Sequence, residues 1–193
     1  ILLDPKAGVL PQRADFMRFV EQTARRCDVP LILDEIVGFR VGTGGIQEQI
    51  GLTPDLTTYG KIIGGGLPVG AFGGRAELMD LMDGTRGPTG FFQSGTYSGH
   101  PLVMAAGLAT LSQLTPAAFR HMNELTEHLC DGIARQLLRL EVKGRAVHCG
   151  SVFSIYFTDG ELTDYRSLSR CCTSATSINE RKFGAAAVIS LNQ

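Results

Sequence analysis

The chain has 193 residues, 44% apolar and 19% charged, with a formal net charge of −1. Such a composition supports a packed core, and the near-neutral charge without a Lys/Arg run argues against nucleic acid as a partner. No apolar stretch reaches the roughly 18 residues needed to cross a bilayer, and the opening Ile1-Leu2-Leu3-Asp4 does not read as a signal peptide. The cysteines, Cys27, Cys130, Cys149, Cys171 and Cys172, are odd in number and contain no CxxC pair. Neither a disulfide framework nor a zinc site is expected, and a reducing, cytoplasmic setting without membrane contact fits best.

Ile1 to Asp4 is a short apolar strand ending in a carboxylate. With no initiator Met and a strand at its front, the chain is expected to be a piece of a longer protein. Pro5 to Pro11 reads as a loop. From Gln12 to Asp28, Phe16, Phe19, Val20, Ala24 and Cys27 recur at helical spacing, which predicts an amphipathic helix. Leu31-Ile32-Leu33-Asp34 follows Pro30 as a second buried strand. Strand, helix, strand at this spacing is a βαβ unit, so the sheet is expected to be mainly parallel with helices on both faces. The fold class is therefore α/β.

Residues 38–74 are dense in glycine and read as loop-rich, with short strands at Leu56–Tyr59 and Val69–Gly73. A short helix is expected over Arg75–Met82 and a loop over Asp83–Ser94. Pro101–Leu114, almost wholly apolar, is expected to be a buried helix. Thr115 can cap the next helix, with Pro116 in its first turn, running to about Leu140. Beyond it the character changes. Ala146–His148 and Val152–Phe157 read as strands of a smaller unit, placing one domain at 1–140 and an incomplete second at 141–193. After about Ser169 no period persists, and Ala185–Leu191 is an apolar tail.

Three places could carry chemistry. Asp34 closes a buried strand, and ligands in open α/β sheets bind outside the carboxyl ends of strands. It could equally cap a turn or pair with Arg40. Lys61 sits between a strand and Ile62-Ile63-Gly64-Gly65-Gly66. Most lysines are solvated, but these apolar flanks would strip the amine of water toward a nucleophilic state, and the glycines leave room beside it. Gly95-Thr96 lies just before a helix start, where hydroxyls and free N–H groups favour an anion; a plain helix cap is the competing reading. Together these supply an amine for an aldehyde, a carboxylate for a ring nitrogen and a phosphate contact, the set that pyridoxal 5′-phosphate (PLP) requires.

The segments LILDEIVGFR (31–40) and TPDLTTYGKIIGGGLPVGAFGGR (53–75), with the later GTYSGHP and AAGLATL, resemble the class III PLP-dependent aminotransferase family. Within it, they are most similar to the glutamate-1-semialdehyde aminomutases and their aminotransferase relatives. The resemblance covers about residues 1–158. It implies PLP fold type I, with part of a large α/β domain and the start of a smaller α+β domain. It implies that Lys61 carries PLP as a Schiff base, that Asp34 pairs with the pyridine nitrogen and that Ile36 packs on the ring. Gly95 and Thr96 would bind the phosphate across a homodimer interface. His100 departs from the family's usual Asn, and Asp4 from the Glu that many relatives place before Pro. The family's N-terminal half has no counterpart here, and the end from about Ser169 does not follow the family.

The implied activity is amino-group transfer on a small amino or keto acid. An aminomutase moves nitrogen between adjacent carbons of one molecule, whereas an aminotransferase passes it to a separate keto acid; the Lys61 motif serves both. A lyase or racemase of the same fold ranks lower. A non-catalytic chain of this fold is the alternative from another class, and retention of Lys61, Asp34 and Thr96 together counts against it. An NAD-binding Rossmann reading fails because no G-x-G-x-x-G opens a helix after a strand. Glu35 could orient neighbouring loops or form an ordinary ion pair. Arg40 and Arg75 could meet a substrate carboxylate, though structural pairing is expected for both. His121, His128 and His148 read as ordinary surface or packed histidines.

Overall fold

The computed structural model describes residues 1–7, 10–86, 91, 93–164 and 166–168. The Cys171-Cys172 pair and the apolar tail at 185–191 lie outside the described residues. The chain divides into two compact units, Ile1–Pro5 with Arg13–Pro116, and Lys6–Gln12 with the chain from Ala117 onward. The change of character near 140 thus falls inside the second unit.

In the first unit, β1 (Leu2–Leu3) leads, past the second unit's β2 (Lys6–Ala7) and β3 (Leu10–Pro11), to helix α1 (Ala14–Arg26). β2 and β3 pair antiparallel where a plain loop was expected. β4 (Ile32–Asp34) follows α1 and pairs parallel with β1, Leu3 opposite Leu33. A 3-10 turn (Gly38–Val41) and α2 (Gly45–Ile50) precede β5 (Leu56–Gly60), which pairs parallel with β4, Asp34 opposite Thr58. After a 3-10 turn at Lys61–Gly64, β6 (Gly70–Gly74) runs back antiparallel to β5. The sheet order is β1-β4-β5-β6. The expected parallel βαβ core is present, and β6 makes the sheet mixed, because the short, glycine-rich link after Lys61 permits a hairpin-like return rather than a helical crossover.

Leu33 is fully buried, and Leu3, Leu31, Met17, Ala24, Val41, Ile46 and Leu52 are buried in the same unit. One such side chain contributes roughly 1.5–3 kcal/mol. The buried face of α1 differs from the expected one. Met17, Glu21 and Ala24 face inward, whereas Phe16 and Phe19 are exposed. Glu21 turns this face inward because it has partners there: it accepts from the Thr53 backbone N–H at 2.8 Å, the Thr53 hydroxyl at 3.0 Å and Arg25 at 2.9 Å. A buried carboxylate satisfied three ways costs little. The helix ends on Asp28, whose φ of 52° is left-handed, while Val29 N–H reaches back to the Ala24 carbonyl at 2.9 Å.

Beyond β6 come α3 (Ala76–Met79), two 3-10 turns, and α4 (Pro101–Leu111). The expectation that α4 is buried is overturned: Leu102 is 63% and Leu108 72% exposed, and Met104 and Leu111 are exposed with them. An all-apolar sequence reports that a face is to be covered, not that this chain covers it. In the second unit, α5 (Pro116–Arg139) buries Phe119, Thr126 and Cys130, and β7 (Arg145–Cys149) pairs antiparallel with β8 (Val152–Tyr156). Among the described residues no single helix is long and apolar enough to cross a membrane.

The entry to β4 and the exit from β6 share one anchor. Asp55 accepts the Leu31 backbone N–H at 2.8 Å and Arg75 Nη1 at 2.8 Å, so Arg75 is structurally paired, as expected. The Arg75 guanidinium first, and the Leu31 N–H second, hold the Asp55 carboxyl below its ordinary range. A lowered carboxylate stabilises the fold above its unfolded pKa of about 4 and loses that contribution as pH falls through the folded value. Asp55→Ala is therefore expected to cost about 1–2 kcal/mol in urea unfolding at pH 7, with the gap to the parent closing toward pH 3. A gap independent of pH would show that the ion pair is not its source.

Candidate active site

Asp34 and Lys61 stand at the carboxyl ends of the neighbouring parallel strands β4 and β5, the edge where open α/β sheets bind ligands. Asp34 is half-buried. Its Oδ1 accepts the Ile36 backbone N–H at 3.0 Å and the Thr58 hydroxyl at 3.4 Å. The carboxylate is thus fixed both along its own chain and across to β5. Ile36 continues the same side: a Cβ on Gly60 would lie 3.3 Å from its Cγ2. The residue before Lys61 therefore carries no side chain, and Ile36 lies against that bare position.

Lys61 is exposed, so the expected stripping of water by its apolar flanks does not occur in this chain. Its backbone is unusual instead, with φ 49° in the left-handed region. The turn that follows is braced from behind by α4 at backbone distance. A Cβ on Gly107 would lie 2.5 Å from the Ile63 carbonyl oxygen, and one on Gly65, itself at φ 60°, would lie 2.4 Å from that of Ala106. Glycine is required at both places. Gly95 and Thr96 occupy the exposed turn leading into α4, where the Gly95 carbonyl accepts the Ser98 N–H at 2.9 Å. The structure thus groups Asp34, Ile36 and Lys61 and leaves Gly95 and Thr96 facing solvent.

Behind the strand ends lies a polar cluster that sequence reasoning saw only in part. Glu35 is 0% exposed and wedged between Gly38 and Gly45. Its Oε1 accepts the Gln47 backbone N–H at 2.7 Å, while its Oε2 is buried with no hydrogen-bond partner. Burial pushes the Glu35 carboxyl up; the Gln47 and Ile46 N–H groups pull it back, and the charges of Asp34 and Asp4 add to the rise. Glu35 thus seats α2. Gln47 was not singled out from sequence. A glutamine in a short polar helix carries no motif, and only the fold reveals that its side chain reaches β5.

The sequence pattern of the Aminotransferase class-III family matches residues 4–167. The chain belongs to this family. A glutamate-1-semialdehyde 2,1-aminomutase of Syntrophus aciditrophicus is 40% identical over 177 residues, covering 89% of this chain and 40% of that protein. An omega-transaminase from Sphaerobacter thermophilus superposes with a TM-score of 0.82 at 40% identity, over 86% of this chain and 39% of that one. A glutamate-1-semialdehyde aminomutase variant from Pseudomonas aeruginosa, in complex with PMP, gives 0.75 at 26% identity, over 88% and 40%. This class-III aminotransferase chain therefore spans about two-fifths of the length of the relatives it matches, and its fold is the type I fold of PLP-dependent transaminases.

Glu35 gives a test of the site's support. A carboxyl raised by burial stabilises the fold fully below its unfolded pKa of about 4.3, and that contribution is lost as pH rises through the folded value. Glu35→Gln keeps an acceptor for Gln47 and carries no charge. Its thermal midpoint is expected at or above the parent's at pH 8, the advantage shrinking toward pH 4. Glu35→Ala strands the Gln47 N–H and is expected to cost about 1–3 kcal/mol at either pH. A Glu35→Gln chain less stable than the parent at pH 8 would refute the buried-charge reading.

Proposed function

We propose that this chain is the lysine-bearing part of a PLP-dependent amino-group transferase, with Lys61 as the cofactor's covalent anchor and Asp34 as the partner of its ring nitrogen. One observation carries the reading: Asp34 and Lys61 occupy the carboxyl ends of adjacent parallel strands, with Ile36 lying against the side-chain-free Gly60 between them. That donor set fits PLP, offering an amine for its aldehyde, a fixed carboxylate for its nitrogen and an apolar surface for its ring.

When bound, PLP supplies an electron sink for the bonds at an amino substrate's Cα. The protein's part is positional and acid–base. The Asp34 carboxylate, oriented by the Ile36 N–H and the Thr58 hydroxyl, would hold the ring nitrogen and favour a proton on it. Lys61 Nζ would serve as the general base that takes the proton from substrate Cα. Exposure of Lys61 leaves that face open for a small amino or keto acid.

Gly95 and Thr96 are assigned to the phosphate of a neighbouring subunit in a homodimer. Their exposed turn and the uncovered apolar side of α4 support that assignment. The site residues all fall in the first compact unit, which we take as part of the cofactor-binding domain foreseen for 1–140; the smaller domain foreseen from 141 would lie in the second. A cytoplasmic setting completes the proposal. A second reading, glutamate-1-semialdehyde 2,1-aminomutase proper, is supported by the name of the Syntrophus relative. Consumption of the amino aldehyde without an added keto acid favours it, and a strict need for an acceptor favours the aminotransferase.

The test of the main reading is borohydride reduction of the chain mixed with PLP, followed by digestion and mass spectrometry. A pyridoxyl group on Lys61, absent from Lys61→Ala, is the expected outcome. Asp34→Asn is expected to weaken PLP on the order of tenfold or more, the loss of one charge-assisted hydrogen bond. Label scattered over surface lysines would sink the assignment.

A further inference from the structure

We propose that Gln47 is a positioning residue for the Asp34–Lys61 pair, gripping from behind the two strand ends that carry it. The proposal rests on the assignment of Lys61 as the cofactor lysine.

Side chains alternate across a strand, so the two faces of the β4–β5 pair divide the labour. Asp34 and Thr58 share the front face, and Ile36 meets Gly60 on the same side. Thr57 and Tyr59 lie on the reverse, where α2 presents Gln47. The Gln47 backbone N–H donates to Glu35, the residue directly after Asp34, at 2.7 Å. Its side-chain carbonyl accepts the Thr57 hydroxyl at 3.1 Å, and its amide donates to the Tyr59 hydroxyl at 3.4 Å. One residue thus holds the end of β4 and two successive rear positions of β5, the last of them two residues before Lys61. Phe39 closes the group, with its ring edge-on to Tyr59 at 5.5 Å between centroids.

The backbone ladder between β4 and β5 already fixes their separation: Glu35 N–H donates to the Thr58 carbonyl at 3.0 Å. Pairing with β4 ends at Thr58, and β6 carries β5 on to Gly60, which it pairs with Gly70; the turn that starts at Lys61 lies beyond both ladders. Gln47 holds β5 from Thr57 to Tyr59, immediately before that turn, and so sets the point from which Lys61 departs relative to Asp34. A residue that served stability alone would change unfolding when altered. A residue that sets this departure also changes the field that the Asp34 carboxylate exerts on the cationic Lys61 adduct.

The experiment loads PLP onto the parent chain, Gln47→Met, Thr57→Val and the double variant, titrates the visible absorbance of each adduct with pH, and measures urea unfolding separately. Each single variant is expected to lower the titration midpoint by ~0.5 pH unit or more, since a loosened carboxylate favours the cation less. The double variant is expected to go no further than Gln47→Met alone, because the Thr57 contact is already lost there, while Thr57→Ser, which keeps the hydroxyl, is expected to restore the parental midpoint. Thr57→Val carries the same readout if Gln47→Met does not fold. A midpoint unchanged or raised, with altered urea unfolding, overturns the positioning role and leaves the lysine assignment standing. No reducible adduct on Lys61 of the parent overturns the assignment, and this proposal with it.

Discussion

The parallel pairing of β4 with β5, with Asp34 opposite Thr58, is the constraint on which the rest of the first unit depends. It buries Leu33 and the flanking Leu31 in the core, and it brings two chain reversals to the same edge of the sheet. Asp34 and Lys61, the residues proposed for the chemistry, stand at that edge. The residues that lock the pairing are polar: Asp55 at the start of β4, and Glu35 with Gln47 at its end. Apolar burial supplies the driving force and is non-directional; these directional bonds, with the in–out alternation of the strands, choose which residues face each other.

Glu35 shows how much the arrangement asks of the core. A fully buried carboxyl with one unpartnered oxygen lies one residue from the half-buried Asp34, and the two charges disfavour each other. Well-packed apolar residues would serve stability better at such a place. The carboxyl remains because a short helix must be seated against the back of the sheet at a fixed height, and a side-chain acceptor aimed at a backbone N–H does that where a methyl group could not. Gly38 and Gly45 leave it the space.

Much of this was legible in the residues themselves. The apolar runs ending in Asp4 and Asp34, with a helical period between them, gave the parallel βαβ unit, and the LILDEIVGFR and YGKIIGGG segments gave the family. Other features were not readable, for specific reasons. The buried face of α1 turned on Glu21, which looks like a surface residue until Thr53 and Arg25 are seen to satisfy it. α4 looked like a core helix because hydropathy records what a face requires and not which molecule provides it; here its leucines stay open. Lys61 looked desolvated because its neighbours are apolar, yet adjacent side chains diverge in a turn and leave it in water. Gln47 was invisible because its partners lie 10 and 12 residues away in sequence, a separation that no local pattern encodes.

The left-handed backbone at Lys61 has a consequence for what this position can become. A residue with a Cβ held there carries a standing penalty of about 1–2 kcal/mol, which glycine would escape. Selection for folding alone would drift this site toward glycine or asparagine. The lysine is held there against the preference of its own backbone, a cost that the proposed role of its amine would offset. Were that role lost, this one position would be free to change, while Gly65 and Gly107, needed for backbone clearance, would stay in place.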